Sequence, residues 1–328
     1  MRDAWGRDIT YLRLSVTELC NLRCRYCMPE EGVEKKRHED MLTEEEMIRA
    51  VRAAASLGIW KVRVTGGEPL LKPNILSICT RISQIGGIRE VCLTTNGTLL
   101  ADRAKALRSS GVRRVNISLD TLDEEKYRHI TRRGSLRDAL AGIEAALEAG
   151  FEKIKVNAVL IGGFNDDEIP ALSNLTYRWP LDVRFIELMP AGVNCGFVNE
   201  AYLPGDKVLQ KIPDAIPVDS DAQSGSAENP LCGGDVARLY HLPGAQGNVG
   251  LIRPVSCGFC SSCSRLRLTA DGHLKPCLHT KDEVNIKGMD EEEMRNTMKK
   301  VIAEKPRTHK EFFTTADVSG RTMNRIGG

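Results

Sequence analysis

Three cysteines, Cys20, Cys24 and Cys27, are spaced C-x3-C-x2-C, and three more, Cys260, Cys263 and Cys277, are spaced C-x2-C-x13-C. Thiolates this close together suit three corners of one metal cluster. A [4Fe–4S] cube normally takes four thiolates, so a three-cysteine loop leaves one iron open to a small molecule. Zinc is the competing reading, but a closed tetrahedral site needs a fourth ligand. The nearest, His38, lies outside the usual finger spacings. Ligand count therefore favours iron–sulfur at the first triad. At the second, Cys257 stands three residues before Cys260, and Cys257, Cys260, Cys263 and Cys277 make an alternative closed site, for zinc or a capped cluster, with no room for substrate. Spacing alone favours that closed site slightly. Cys79, Cys92, Cys195 and Cys232 are isolated and read as buried small apolar residues or incidental thiols.

The elements that must carry these residues alternate between short strands and amphipathic helices from residue 11 to about 190, the βαβ pattern of a parallel sheet with helices outside it. Six strands are expected, at 11–17, 61–65, 90–96, 113–120, 153–161 and 182–189. Thr43-Glu44-Glu45-Glu46 is a capping box, followed by an apolar stripe of Met47, Ala50, Val51, Ala54 and Leu57, with Gly58 ending the helix. A second helix is expected over 135–150 with Leu136, Leu140, Ile143 and Leu147 inward, and a third from the N-cap Asp290 to Lys305.

Side chains alternate across a strand, so Leu12 and Leu14 share one face while Arg13 and Ser15 share the other. Val62 and Val64 oppose Lys61, Arg63 and Thr65, and Ile154 and Val156 oppose Lys153, Lys155 and Asn157. If helices cover the apolar faces, the polar faces converge on a lumen. Closed eight-stranded barrels fill that space with branched aliphatic residues, and a parallel sheet is rarely exposed. The pattern therefore predicts an α/β fold, an incomplete (β/α)6 barrel of the TIM type over 1–190, with something polar and anionic in its lumen. Parity directs Arg13, Lys61, Arg63, Lys155 and Arg184 inward with Thr94 and Ser118. Residues 191–328 read as a smaller, irregular C-terminal domain carrying the second cysteine triad.

Of 328 residues, 41% are hydrophobic and 27% charged, an ordinary globular composition. The net charge of +2 gives no large basic field for nucleic acid. No apolar run has the length of a membrane span, and the charged N-terminus carries no signal-peptide core. Eleven cysteines, mostly in two clusters, fit metal chemistry in a reducing cytoplasm better than a disulfide scaffold.

Cys20-Asn21-Leu22-Arg23-Cys24-Arg25-Tyr26-Cys27 resembles the signature of the radical S-adenosylmethionine (SAM) superfamily, and Thr65-Gly66-Gly67-Glu68-Pro69 resembles its GGEP motif. The second triad, with Arg265-Leu266-Arg267, resembles the auxiliary-cluster site of the GTP 3',8-cyclase family of molybdenum cofactor biosynthesis. So do Leu93-Thr94-Thr95-Asn96-Gly97, Asn116-Ile117-Ser118-Leu119-Asp120, Arg184-Phe185-Ile186-Glu187-Leu188-Met189-Pro190 and the final Met323-Asn324-Arg325-Ile326-Gly327-Gly328. The likeness covers nearly the whole chain and is weakest over 194–247, where Cys232-Gly233-Gly234-Asp235 departs from the family's Gly-Pro-Ala run.

The resemblance implies a lyase with two [4Fe–4S] clusters, on Cys20, Cys24 and Cys27 and on Cys260, Cys263 and Cys277. It implies SAM contacts at Tyr26, Gly67, Ser118 and Met189, the last only if the chain turns near Pro190. GTP contacts would fall on Arg13, Lys61, Arg63, Thr94, Lys155, Arg184, Arg265, Leu266 and Arg267, with Arg267, Gly327 and Gly328 catalytic. It further implies a flavodoxin or ferredoxin as electron donor and transient transfer of product to cyclic pyranopterin monophosphate synthase; a homodimer is compatible with it. The alternatives are another auxiliary-cluster radical SAM enzyme, such as a peptide maturase, and a zinc-binding protein with no redox chemistry.

Overall fold

The computed structural model describes residues 1–34, 36–189, 201–218, 236–308 and 321–327. Six parallel strands follow one another in chain order: β1 (Tyr11–Ser15), β2 (Lys61–Thr65), β3 (Glu90–Thr95), β4 (Val112–Ser118), β5 (Lys153–Leu160) and β6 (Asp182–Glu187). The later chain adds β7 (Ile216–Pro217), β8 (Arg238–His241), β9 (Asn248–Ile252), β10 (Arg265–Leu268), β11 (His273–Lys275) and β12 (Val284–Asn285). One sheet joins them all in the order β12-β11-β10-β1-β2-β3-β4-β5-β6-β9-β8-β7. β10 runs parallel to β1 and β9 parallel to β6, so the six expected strands are flanked on both sides by parallel strands from beyond residue 190. Among the described residues β12 and β7 are edges, and the barrel is open.

The region after residue 190, expected to be irregular, contributes these six short strands among the described residues. They are two to five residues long, too short to impose a legible period. β1 and β6 also end earlier than expected, because Thr17 and Met189 already belong to the loops above the sheet.

Helices cover the apolar face. In α1 (Glu44–Ser56), Thr43 Oγ1 accepts from Glu46 N at 3.2 Å while Thr43 N donates to Glu46 Oε2 at 2.8 Å. Met47, Ala50, Val51 and Ala54 are buried against Leu12, Leu14, Val62 and Val64 in one core. Asp290 and Glu293 form the same reciprocal cap on the helix Glu291–Ala303. The helix Leu136–Glu148 is turned from its expected stripe: Leu136, Ala139, Gly142, Ile143 and Ala146 are buried, whereas Leu140 and Leu147 are only partly so. Gly142 sets the rotation, since a Cβ there would lie 2.2 Å from Gly97 O.

The inward residues form rows across the strands. Arg267, Arg13, Arg63, Cys92, Arg114 and Lys153 are successive register partners from β10 to β5. Above them run Thr94, Asn116, Lys155 and Asp182, and then Ser118, Asn157, Arg184 and Gly250.

Candidate active site in the barrel lumen

The first cysteine triad sits on the loop after β1, braced by the loop after β2. Gly67 N donates to Thr17 O at 2.8 Å and Glu68 N to Leu19 O at 2.7 Å. A Cβ on Gly66 would lie 2.4 Å from Thr17 O, and one on Gly67 2.2 Å from Leu19 O. Both positions require glycine because two backbones touch. Buried Glu68 ties this pair to β3, accepting from Thr95 Oγ1 at 2.8 Å, Asn96 N at 2.8 Å and Leu70 N at 3.0 Å. Burial pushes its carboxyl up to about 7. Asp120 is likewise buried, pushed up to about 6, and accepts from Tyr26 Oη at 2.7 Å and Val159 N at 2.9 Å.

Cys20, Cys24 and Cys27 are free and half-buried. Burial raises all three thiols, Cys27 to about 12, and Cys24 is raised further by Cys27, Asp120 and Cys20 around it. Ready hydrogen-bond donors already face one sulfur. Leu22 N lies 3.4 Å and Asn96 Nδ2 3.9 Å from Cys20 Sγ.

The second triad, Cys260, Cys263 and Cys277, is also free, but its surroundings are cationic. Burial alone would raise the Cys263 thiol; Arg265 and Lys305 instead bring it down to about 6. Lys305 is buried, its ammonium donating to Arg265 O at 3.0 Å and to Pro276 O, so it clasps β10 to the segment holding Cys277. Arg7, ion-paired with Asp3 at 2.5 Å, donates to Cys260 O at 2.7 Å. Cys257 is not among the free cysteines. Cys195, Cys232 and Gly328 lie outside the described residues, as do 194–200 and 219–235 of the divergent stretch.

Of the expected nucleotide contacts, Arg13, Arg63, Lys155, Arg184, Arg267 and Thr94 come together in the lumen. Arg63 donates to Tyr11 Oη and to Thr94 Oγ1 at 3.3 Å. Lys155 is pushed down to about 7 by burial and by Arg184 and Arg63 beside it, and burial lowers Arg13 to about 10. Lys61, in contrast, is held by Glu90 at 2.5 Å, and Glu90 also takes Arg114 at 3.1 Å. Arg265 stacks over Phe259 at 4.7 Å. Leu266 is fully buried in register with Leu12, so its side chain belongs to the core. Ser118 ends β4 opposite Asn157, Tyr26 is turned to Asp120, and Met189 lies beyond the end of β6.

Gly327 reaches into the same lumen. Its carbonyl accepts from Arg13 Nη2 at 2.8 Å and Arg267 Nη1 at 3.1 Å. With φ of +70° and a Cβ site 2.6 Å from Ser15 Oγ, only glycine fits there.

The residues missed in the sequence are Glu68, Asp120, Glu90, Arg7 and Lys305. The first two lay within noted motifs, and Glu90 shares the inward parity of its register partner Lys61; Arg7 and Lys305 gave no local signal.

The donor set fits the groups that the motifs imply. Among the described residues Cys20, Cys24 and Cys27, and Cys260, Cys263 and Cys277, are free thiols, and Ser15 Oγ, Asn116 Oδ1, Asn157 Oδ1 and Arg184 Nε are buried in the lumen without a hydrogen-bond partner. Buried polar atoms left this way are costly unless a polar ligand meets them. Cations along one wall and carboxyls near the other triad divide the lumen into ends suited to an anion and to a cation.

Residues 14–176 match the family model of the Radical SAM superfamily, and residues 181–311 that of Molybdenum Cofactor Synthesis C. The chain is 45% identical to a GTP 3',8-cyclase of Alkaliphilus metalliredigens and 46% identical to one of Pelotomaculum thermopropionicum, with 100% of each chain covered. Among solved structures, Streptococcus suis SuiB bound to its precursor peptide SuiA superposes with a TM-score of 0.62 at 15% identity, over 87% of this chain and 64% of that one. That likeness speaks for the fold alone. No helix among the described residues is long and apolar enough to cross a membrane. The full-length identity, together with the two triads and the lumen between them, shows that the chain belongs to the GTP 3',8-cyclase family of radical SAM proteins.

Proposed function

We propose that this chain converts GTP to (8S)-3',8-cyclo-7,8-dihydroguanosine 5'-triphosphate, with residues 1–190 generating the radical and residues 191–328 completing the nucleotide site. When bound, the first cluster and SAM would supply a 5'-deoxyadenosyl radical that takes the ribose 3'-hydrogen of GTP and leaves as 5'-deoxyadenosine; the C3' radical would close on C8 of guanine, and one electron from the reductant with one proton would complete the 7,8-dihydro product. Cys20, Cys24 and Cys27 hold that cluster with one iron left for SAM, near the Gly66–Gly67 turn, Tyr26, Ser118 and Met189. Cys260, Cys263 and Cys277 would hold the second, which would supply an open iron for the guanine.

The observation that carries this reading is the unbroken row Arg267, Arg13, Arg63 across β10, β1 and β2, with Lys155 and Arg184 in the rows above it. Guanidinium groups suit phosphate oxygens in paired contacts, and these cations lie in a lumen whose own acids are spent on Lys61, Arg114 and Lys153. Arg267 and the Gly327–Gly328 tail orient the ribose and base between the two clusters and keep water out. A flavodoxin or ferredoxin as electron donor, transfer of product to cyclic pyranopterin monophosphate synthase, a homodimer and a cytoplasmic location belong to the same proposal. The peptide-maturase reading is disfavoured, since its support is a 15% identity against 45% over the full length of a cyclase.

Anaerobic incubation with SAM, GTP and a reductant tests the proposal. 5'-Deoxyadenosine in step with cyclised nucleotide, and almost none without GTP, is expected; cleavage of SAM at the same rate without GTP, and no cyclised product, refutes it.

A further inference from the structure

The basic side chains that line the lumen differ in what holds them. Among the described residues Arg63 donates to Tyr11 Oη, Leu93 O and Thr94 Oγ1, and Arg267 to the carbonyls of Ile326 and Gly327. None of these acceptors is a carboxylate. Lys61 and Arg114, by contrast, share a single acid. Glu90 begins β3 in the row Arg265, Tyr11, Lys61, Glu90, at the end of the sheet where Cys263 leads into β10. Its side chain is 11% exposed, with Lys61 Nζ 2.5 Å from Oε1 and Arg114 Nη2 3.1 Å from Oε2. Cys92 Sγ donates to Oε1 at 3.0 Å. Burial favours the neutral acid, but Cys92, Lys61 and Arg114 hold the carboxyl below the usual carboxylate range.

On the cationic side the pairing is incomplete. Two cations face one carboxylate, and the Arg114 Nε N–H is buried without a hydrogen-bond partner. Lys61 and Arg63 both lie against the Tyr11 ring, 5.3 and 5.9 Å from its centre, so Lys61 adjoins the row assigned to the phosphates. We propose that Glu90 sets how tightly the nucleotide site holds a triphosphate: it is a resident carboxylate that occupies Lys61 and Arg114 and competes with the terminal phosphate for them. A carboxylate offers ammonium and guanidinium groups the same paired oxygens as a phosphate, and two anions in a site shielded from water repel strongly. Glu90 therefore weakens the grip on substrate and product alike, since both carry the triphosphate. A grip equal in both lowers KM without raising kcat, and loosening it lets the cyclised triphosphate leave.

This inference deepens the proposed function and rests on its reading that the lumen takes GTP by its phosphates. Its test is calorimetry on the anaerobic holoenzyme with GTP, inorganic triphosphate and guanosine as separate probes. In Glu90→Gln, GTP and inorganic triphosphate should bind roughly 10-fold more tightly, the lower end of what a charge-assisted hydrogen bond contributes, with guanosine unchanged. Adding Lys61→Met should remove most of that gain. If the single variant fails to fold, Glu90→Gln with Arg114→Gln keeps the local charge of the wild type and should still bind triphosphate more tightly, through Lys61. Triphosphate binding no tighter than wild type in either folded variant, an equal gain for guanosine, or a gain undiminished by Lys61→Met overturns the inference. A wild-type chain that binds neither GTP nor inorganic triphosphate refutes instead the proposed function.

Discussion

The two cysteine triads have the same composition and opposite electrical settings. Around Cys20, Cys24 and Cys27 stand carboxyls, Glu68 and Asp120, and burial leaves the thiols protonated until iron displaces their protons. Around Cys263 and Cys277 stand Arg265, Arg267 and Lys305, and Cys263 is held near 6. An iron centre with a vacant position attracts donors at either place. The surroundings choose between them: carboxyls suit the cationic sulfonium and ammonium of SAM, guanidinium groups a triphosphate. Coordination alone would make the sites interchangeable; the charges beside them do not.

The largest expected effect separates the triads outright. Cys24→Ser should lose about four of about eight irons per chain and all SAM cleavage. Cys263→Ser should lose the other four and all cyclisation while still releasing 5'-deoxyadenosine. Iron analysis and chromatography of the nucleosides check both; loss of SAM cleavage in both variants would mean the triads are not separate in role.

Next in size is Arg267→Ala. A charge-assisted hydrogen bond contributes roughly 1.5–3 kcal/mol, so GTP affinity by calorimetry should fall about 10- to 150-fold with SAM affinity unchanged. Equal losses for both ligands would break the division of charge described above.

A smaller effect follows from Lys155, whose ordinary value of 10.5 is lowered to about 7. Bound triphosphate favours the ammonium, so between about pH 7 and 10 binding takes up a proton and affinity falls as pH rises, by at most about tenfold per unit. Below pH 7 the lysine is already charged and the dependence vanishes. Lys155→Arg should abolish the slope, and SAM binding should not share it. The smallest effect is a control outside the comparison: Thr43→Ala removes the cap of α1, lowering stability by about 1 kcal/mol in denaturant melts with both ligand affinities intact.

The barrel was readable because alternation is a direct consequence of strand geometry: Leu12 and Leu14 against Arg13, Val62 and Val64 against Arg63. The cap at Thr43 was readable for the same local reason. What strand parity leaves open is partnership. It turned Lys61 inward correctly and could not say that Glu90 would occupy it. Side-chain size misled at the helix Leu136–Glu148, where close approach to Gly97 selects the small face of Gly142 and Ala146 over Leu140 and Leu147. Lys305 looked like a helix-end lysine. Its position beside Cys263 depends on contacts with Arg265 and Pro276 tens of residues away, which no local pattern encodes.

The most direct measurement of the account is EPR of the anaerobically isolated, reduced chain titrated separately with SAM and with GTP. SAM should perturb only the signal lost in Cys24→Ser, and GTP only the signal lost in Cys263→Ser. A second signal indifferent to GTP, or one signal that answers to both ligands, would contradict it.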